Sequence, residues 1–464
     1  MGYWLLRKQM KMINKHNIKR LLLAGLLCTA ATVQAQNGFN IPYSQFGIGS
    51  TEQPYNLPMV IRMGGTAYTR AGYNYVNPFN PASYGAIQKE SFVFDMGVNL
   101  QVSTLSDKNS SMKDADGNIA YLMVAMPVTK WWKLAGGLMP YSMVSYESVM
   151  HQTDATSGSV TTTYSGGDGQ GYPSGVNEVF LGSAFNLLEG DGKRPDVQMG
   201  FNAYYLTGTI VRAISYDFPN NSTTYFLDKR RYKKTTVSNF LFDVGVQMRQ
   251  PLGEKFTLGV GLVYKPHLTM PLNEEALVYT YHSTDETLVD TIFPARGQDN
   301  KFKSTMEQAQ TFGIGLSIER NKQWQVAVDA TFADWSGMKC TEGLENPVFG
   351  ESPLRYGSWS RYALGLEKIG DMDASSYWGR MSWSLGVHSE QGALRLAIAG
   401  TEHRIDEWGA GMGVSMPMRK GKSLLTLSVG YSSLGSIDLL RRDTWTFGIA
   451  VSSCERWFAK RRYN

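Results

Sequence analysis

Five histidines stand beyond residue 35, His151, His267, His282, His388 and His403, and no two are spaced as ligands of one metal ion would be. His403 lies near Glu402, Asp406 and Glu407, a group that would serve as a metal or proton site only if shielded from water; we read it as a solvated charge cluster. Asp114-Ala115-Asp116-Gly117-Asn118 has the opening of a calcium loop but lacks the later ligands, a bidentate Glu among them, and reads as an Asp-Gly hairpin turn. Gly166-Gly167-Asp168-Gly169-Gln170-Gly171 is not followed by Lys-Ser/Thr, so it reads as a flexible loop rather than a phosphate cradle. No Ser, His and acid set falls on neighbouring strands at the lipid face. The expectation is a protein without catalytic residues, metal or cofactor.

With no reaction to position, the stretch that needs explaining is Arg62 to Ile87, RMGGTAYTRAGYNYVNPFNPASYGAI. Pro78 and Pro81 remove backbone donors and push the residues before them toward extended conformations, while Gly64, Gly65 and Gly72 permit turns closed to other residues. Such a segment does not make a ladder strand. Its aromatic residues, Tyr68, Tyr73, Tyr75, Phe79 and Tyr84, must still be buried, and a barrel lumen is where the rest of the chain can bury them. We read it as a plug.

The elements that must hold it follow from Ser91 onward, where the residues alternate with period two. Trp445, Phe447, Ile449 and Val451 share one face and Thr444, Thr446, Gly448 and Ala450 the other; Phe240, Phe242, Val244 and Val246 likewise oppose Asp243, Gly245 and Gln247. Segments of ten residues or more suit a tilted strand crossing a bilayer better than a sandwich, where about five to six suffice. Fourteen such segments start near Ser91, Asn118, Trp132, Val176, Asp196, Val237, Glu254, Thr305, Gln323, Ser358, Met381, Trp408, Ser423 and Asp443. Connections after odd strands are long and those after even strands short, the pattern of outer-membrane barrels. Pro127, Pro251 and Pro417 each close an even strand. The fold class expected is all-β: a transmembrane antiparallel β-barrel of about 14 strands with an N-terminal plug, or hatch, in its lumen. Asp95, Asn99, Asp243, Arg249, Lys265, Asp329, Arg361 and Glu367 fall on the polar face, as a solvated wall, as anchors for the plug, or as ligand contacts.

Residues 1–35 read as a signal peptide: basic residues precede the apolar run Leu21 to Ala31, and Val33-Gln34-Ala35 offers a cleavage site, with Cys28 unlipidated. Those residues hold six Lys/Arg and no acid, so their removal takes the formal charge from +5 to −1 and with it any electrostatic case for nucleic acid. No run of 18 apolar residues follows. The expected organisation is signal peptide 1–35, plug 36–90, barrel 91–453 and periplasmic tail 454–464. Cys340 then faces outside and Cys454 the periplasm, too far apart to bridge.

The Arg62-x-Gly64-Gly65 start, Asn80-Pro81-Ala82, the opening Tyr43-Ser44-Gln45-Phe46-Gly47 and the tail Trp457-Phe458-Ala459-Lys460-Arg461-Arg462-Tyr463 together resemble the FadL family of outer-membrane transporters, most closely its Bacteroidetes branch. The resemblance implies uptake of a hydrophobic small molecule or lipid, fatty-acid-like, across the cell outer membrane, through a channel whose hatch contains Arg62, Gly64, Gly65, Asn80, Pro81 and Ala82. It implies no cofactor. A related Bacteroidetes barrel family shuttles secreted cargo, so a partner in assembly or secretion is the alternative reading.

Overall fold

The structure is a computed structural model and describes residues 40–456, except 52, 155–157, 168–173, 191–192, 220–225, 283–287, 293–299, 321–322, 338–353, 399–400 and 419–422. The signal peptide, Cys340, the C-terminal tail and much of the 166–171 glycine run lie outside the described residues.

Fourteen antiparallel strands close a ring: β1 Ser91–Ser106, β2 Ser111–Pro127, β3 Trp132–Val144, β4 Ser174–Leu188, β5 Asp196–Asp217, β6 Asp228–Leu252, β7 Phe256–Lys265, β8 Thr311–Arg320, β9 Trp324–Asp334, β10 Ser358–Lys368, β11 Ser382–Gln391, β12 Glu407–Met418, β13 Ser423–Ser436 and β14 Leu440–Arg456. Each pairs with its chain neighbours, and β14 returns to β1 through Phe447↔Leu100 and Ile449↔Val98. Closure leaves no end strand facing lipid, which a membrane solvent demands.

The side chains alternate as the period requires. On β8, Phe312, Ile314, Leu316 and Ile318 are exposed, while Ser317 is buried. Two aromatic girdles bound this apolar band. At the periplasmic ends Trp131 stacks with Phe185, Phe256 meets Trp324 edge-on, and Trp378 stacks on Trp383. At the outer ends Tyr205 meets Phe240, Tyr264 meets Phe312, and Trp408, Tyr431 and Trp445 form a row. Amphipathic rings belong at such interfaces.

The strands run further outward than the sequence suggested. β5 has 22 residues and β6 has 25, far beyond the roughly ten that cross a bilayer. Two connections expected as long loops, after β1 and after β13, are tight turns at 107–110 and 437–439. Asp114 to Asn118 is therefore not a turn: it lies inside β2, with Asp116 opposite Gln101 and Gly117 opposite Leu100. The turn is made instead by Asp107, whose carboxylate accepts the amides of Asn109 and Ser110, bonds that hold its pKa below the usual range.

Outer connections also carry strands that the sequence reading left as loops. The hairpin Tyr146–Asp154 and Gly158–Gly166 extends the wall against β5, and Leu268–Tyr281 does so against β6. Lys301–Gln308 pairs with Leu268–Tyr281, which explains why the eighth strand was expected at Thr305 rather than Thr311. A separate small sheet is made by Leu354–Tyr356, Leu394–Ile398 and Thr401–Arg404. Cys454 is buried inside β14, so the last strand passes the expected end of the barrel and reaches Arg456.

An arginine at Ile449, four residues inside the outer girdle residue Trp445, should cost about 2–4 kcal/mol; one at Thr236, four residues above Phe240 on the same outward face, should cost about 0–1. Heat-modifiable gel mobility after refolding reads the difference, and equal damage would misplace the apolar band.

The plug and its seat as candidate functional site

The chain from Asn40 to Glu90 enters at the outer mouth, crosses the lumen and leaves at the periplasmic end as β1. Among the described residues its regular pieces are 3-10 turns at Pro42–Gln45, Gln53–Asn56 and Pro81–Ala86 and one helical turn at Pro58–Ile61. Pro58 and Pro81 each open their turn, where a missing amide costs nothing.

Irregular backbone at membrane depth needs partners from elsewhere. The wall supplies them. Asp329 of β9 accepts the amides of Ala67 (2.6 Å) and Tyr68 (2.9 Å); Asp95 of β1 accepts that of Val76 (3.0 Å) and is itself held by Tyr121 and Ser452. Gln247 donates to the Tyr68 carbonyl, and Asn202 to that of Pro78. Asn99 donates to the carbonyl of Asn56.

The residues singled out in the sequence sit in this seat. Asn80 is fully buried and donates through Nδ2 to the carbonyls of Tyr68 (2.8 Å) and Val246 (3.3 Å), while its Oδ1 accepts the amide of Ala82 (3.1 Å). Pro81 begins the turn that this last bond caps. Arg62 is buried with Nη1 at 2.7 Å from Glu367 and 3.0 Å from Ser384; the other carboxylate oxygen of Glu367 is 3.3 Å from Arg70, so one acid is shared by two plug arginines. Gly64 and Gly65 take φ of +63° and +100°, and a Cβ on Gly64 would strike the backbone of β11.

Of the other polar-face candidates, Asp243 reaches the seat through Tyr204 (2.7 Å), and Arg361 lies 4.2 Å over the Tyr55 ring while paired with Glu390. Arg249 pairs with Glu319 on the wall, and Lys265 lies over the Tyr204 ring. The His403 group is not brought together: Glu402 meets Arg395, Asp406 meets Arg404, and Glu407 meets His388 at 3.1 Å.

Wall glycines complete the fit. Gly200 and Gly245 stand against Pro81 and Asn80, Gly261 and Gly313 against Tyr68, Gly386 against Met63, and Gly411 against Ile61; a Cβ at any of them would strike the plug. The sequence showed a small, polar face but not what it was small for.

The sequence reading also missed a cap. Tyr43 donates to the Leu440 carbonyl of β14 (2.7 Å), and burial pushes its hydroxyl up to about 12, which keeps the donor protonated. Across the mouth Arg212 of β5 donates to the carbonyls of Ser44 and Gly47. Phe46 packs with Leu396, Ile405 and Leu434. The opening motif thus spans the barrel from wall to wall. Between cap and plug lies a chamber of about 40 Å³ lined by Tyr55, Ile61, Arg361, His388, Glu407 and Arg442, among others.

A closed fourteen-stranded barrel with an apolar exterior, two aromatic girdles and an N-terminal segment seated in its lumen defines the class: an outer-membrane β-barrel of the FadL-type channel fold. The chain resembles the CymD monoaromatic hydrocarbon channel with a TM-score of 0.50 at 13% identity, covering 86% of this chain and 99% of that one. It resembles the toluene transporter TbuX of Ralstonia pickettii with a TM-score of 0.50 at 12% identity, covering 86% and 97%. At such identities the likeness is one of fold. No curated protein matches the chain. The BamG family profile, however, matches residues 17–464, and the chain belongs to the BamG family.

Glu367→Gln leaves two buried arginines short of a counter-charge and should cost about 3–5 kcal/mol. Asn80→Ala removes three hydrogen bonds and should cost about 1–3 kcal/mol without unfolding the barrel. Urea midpoints of the refolded variants, with trypsin cleavage at Arg62 or Arg70 as a readout of plug release, check both; an Asn80→Ala protein cleaved no faster than the parent would mean that this residue does not hold the plug.

Proposed function

We propose that this protein is an outer-membrane barrel shut by its own N-terminal plug, acting as a partner of another protein in assembly or secretion rather than as an open conduit. The fit of the plug carries this reading. Small-molecule pockets span about 300–1,000 Å³. The chamber under the cap holds about 40 Å³, room for no more than a few waters, each needing about 10–15 Å³. Glycines on six strands are fitted to the plug's own atoms, so the lumen is complementary to the plug and not to a passing solute. Residues 1–35 act as the signal that sends the chain to this membrane, and the opening motif aligns it with the Bacteroidetes branch of FadL-like barrels.

A second reading, hatch-gated uptake of a hydrophobic small molecule or lipid, is favoured by the chamber under the cap, which lies where an entering molecule would first meet the plug. In that reading Arg62, Gly64, Gly65, Asn80, Pro81 and Ala82 form the moving hatch. It requires the Glu367 pairs and the Asp329 bonds to break and re-form in each cycle.

Planar bilayers and cells separate the two. The purified protein should conduct no ions, and deletion of residues 36–86 should leave a folded barrel that conducts, because the strands close the ring by themselves. Depleting the intact protein from cells should lower the levels of other outer-membrane or secreted proteins while sparing uptake of hydrophobic compounds. Unchanged protein levels with lost uptake would establish the hatch reading instead.

A further inference from the structure

Among the described residues the seam between β2 and β3 is incomplete. β2 and β3 pair only from Leu122↔Leu138 down to Pro127↔Lys133 at the periplasmic end. Above that point β2 continues from Tyr121 up to Ser111 on β1 alone, and β3 continues from Met139 to Val144 on β4. The parting is built in. β2 bulges at Ala120, between Gly97↔Tyr121 and Val98↔Ile119; β3 bulges at Tyr141, between Pro140↔Asn177 and Ser142↔Val176. Bulges raise local twist, and Pro140 offers no amide to a neighbour.

The two banks of this slot are not alike. The β3 bank is closed by the chain itself, through a bridge between Ser50 and Met143 and a bond from the Ile41 amide to the Ser145 carbonyl. The β2 bank between Ser111 and Gly117, paired with β1 on its other side, has no strand on the slot side among the described residues. Part of it lies at lipid depth: outward-facing Val102 and Leu100 of β1 are paired with Ala115 and Gly117, and Leu100 and Ile119 are 50% and 60% exposed.

We propose that this slot is the docking site for an extended segment of a partner outer-membrane protein, which pairs as a strand with the edge of β2. The inference rests on the partner reading above and specifies where the partner binds. Chemistry selects the occupant. A strand edge at lipid depth requires hydrogen-bonding groups, which an acyl chain lacks and a helix has already used. The stretch just ahead of Asn40 is too short: after cleavage at Ala35 only residues 36–39 precede Asn40, whose amide is tied to Asp114 at the outer end of the slot. Four residues reach roughly 13 Å, whereas the bank from Ser111 to Gly117 runs roughly 20 Å. Exposed Met112, Ile119, Val149 and Met150 around the slot offer apolar contacts for the alternate side chains of an added strand.

Photocrosslinking in intact cells tests this, with p-benzoylphenylalanine placed singly at Lys113, Ala115 and Gly117, and at Phe312 and Tyr362 on the far wall. Heat-modifiable mobility confirms folding, and Lys113, above the lipid band, serves should Gly117 not tolerate a side chain. The expected result is adducts to one and the same outer-membrane protein from the slot positions, with adduct sites on the partner stepping along one segment in reverse order, and none from the far wall. Adducts only to lipid, to residues 36–39 or to a second copy of this chain would overturn the proposal. The same partner captured from the far wall and not from the slot would overturn the docking site and leave the partner reading standing. No protein adduct from any face would defeat both.

Discussion

An irregular backbone cannot satisfy itself, and in this protein the wall of the barrel satisfies it. Asp329, Asp95, Gln247 and Asn202 each give one polar atom to amides or carbonyls of the plug, and Glu367 gives both oxygens to plug arginines. Buried groups of this kind are costly when left alone and stabilising mainly because their partners are present. The plug therefore depends on the wall for its backbone partners, and the two form one hydrogen-bonded unit. The polar inner face, which in a porin is polar for the sake of water, is polar here for the sake of another stretch of the same chain.

That coupling sets what the sequence could disclose. The strands were legible because lipid imposes period two on the outward face independently of anything inside, and the starts expected at Ser91, Trp132, Asp196, Ser358 and Ser423 are the starts observed. Asp114 to Asn118 misled because an Asp-Gly pair looks the same inside a strand as in a turn, and only its pairing with β1 shows which it is. In the seat, Asn80-Pro81-Ala82 was legible from local backbone chemistry alone. Partners such as Glu367 for Arg62 or Arg212 for Gly47 were not, since they lie more than 150 residues apart and only closure of the ring brings them together. The seam left a single sequence mark, Pro140, because the end of a ladder is a property of two strands and not of either one.

The glycines carry the same lesson. Read along a strand, Gly245 or Gly313 is merely small; set against Asn80 or Tyr68, each is the one residue whose lack of a Cβ lets the plug's atoms reach the wall. Close packing to native density makes such a surface intolerant of added volume. A lumen shaped to one occupant is a poor route for another unless that occupant leaves.

Leaving is made difficult by how the plug is tied. Below, it runs without a break through Ile87 into β1, the strand that closes the ring against β14. Above, the cap is fastened to β14 through Tyr43 and to β5 through Arg212. A segment held at both mouths cannot swing out as a door; only its middle can shift, and that middle carries the buried pairs to Glu367 and the three bonds of Asn80. Breaking one such buried pair costs about 3–5 kcal/mol, a large share of the 5–15 kcal/mol that holds a typical domain folded. A barrel whose opening cost so much would need an external source of binding energy, and an outer surface with an unpaired strand edge is where a partner protein would supply it.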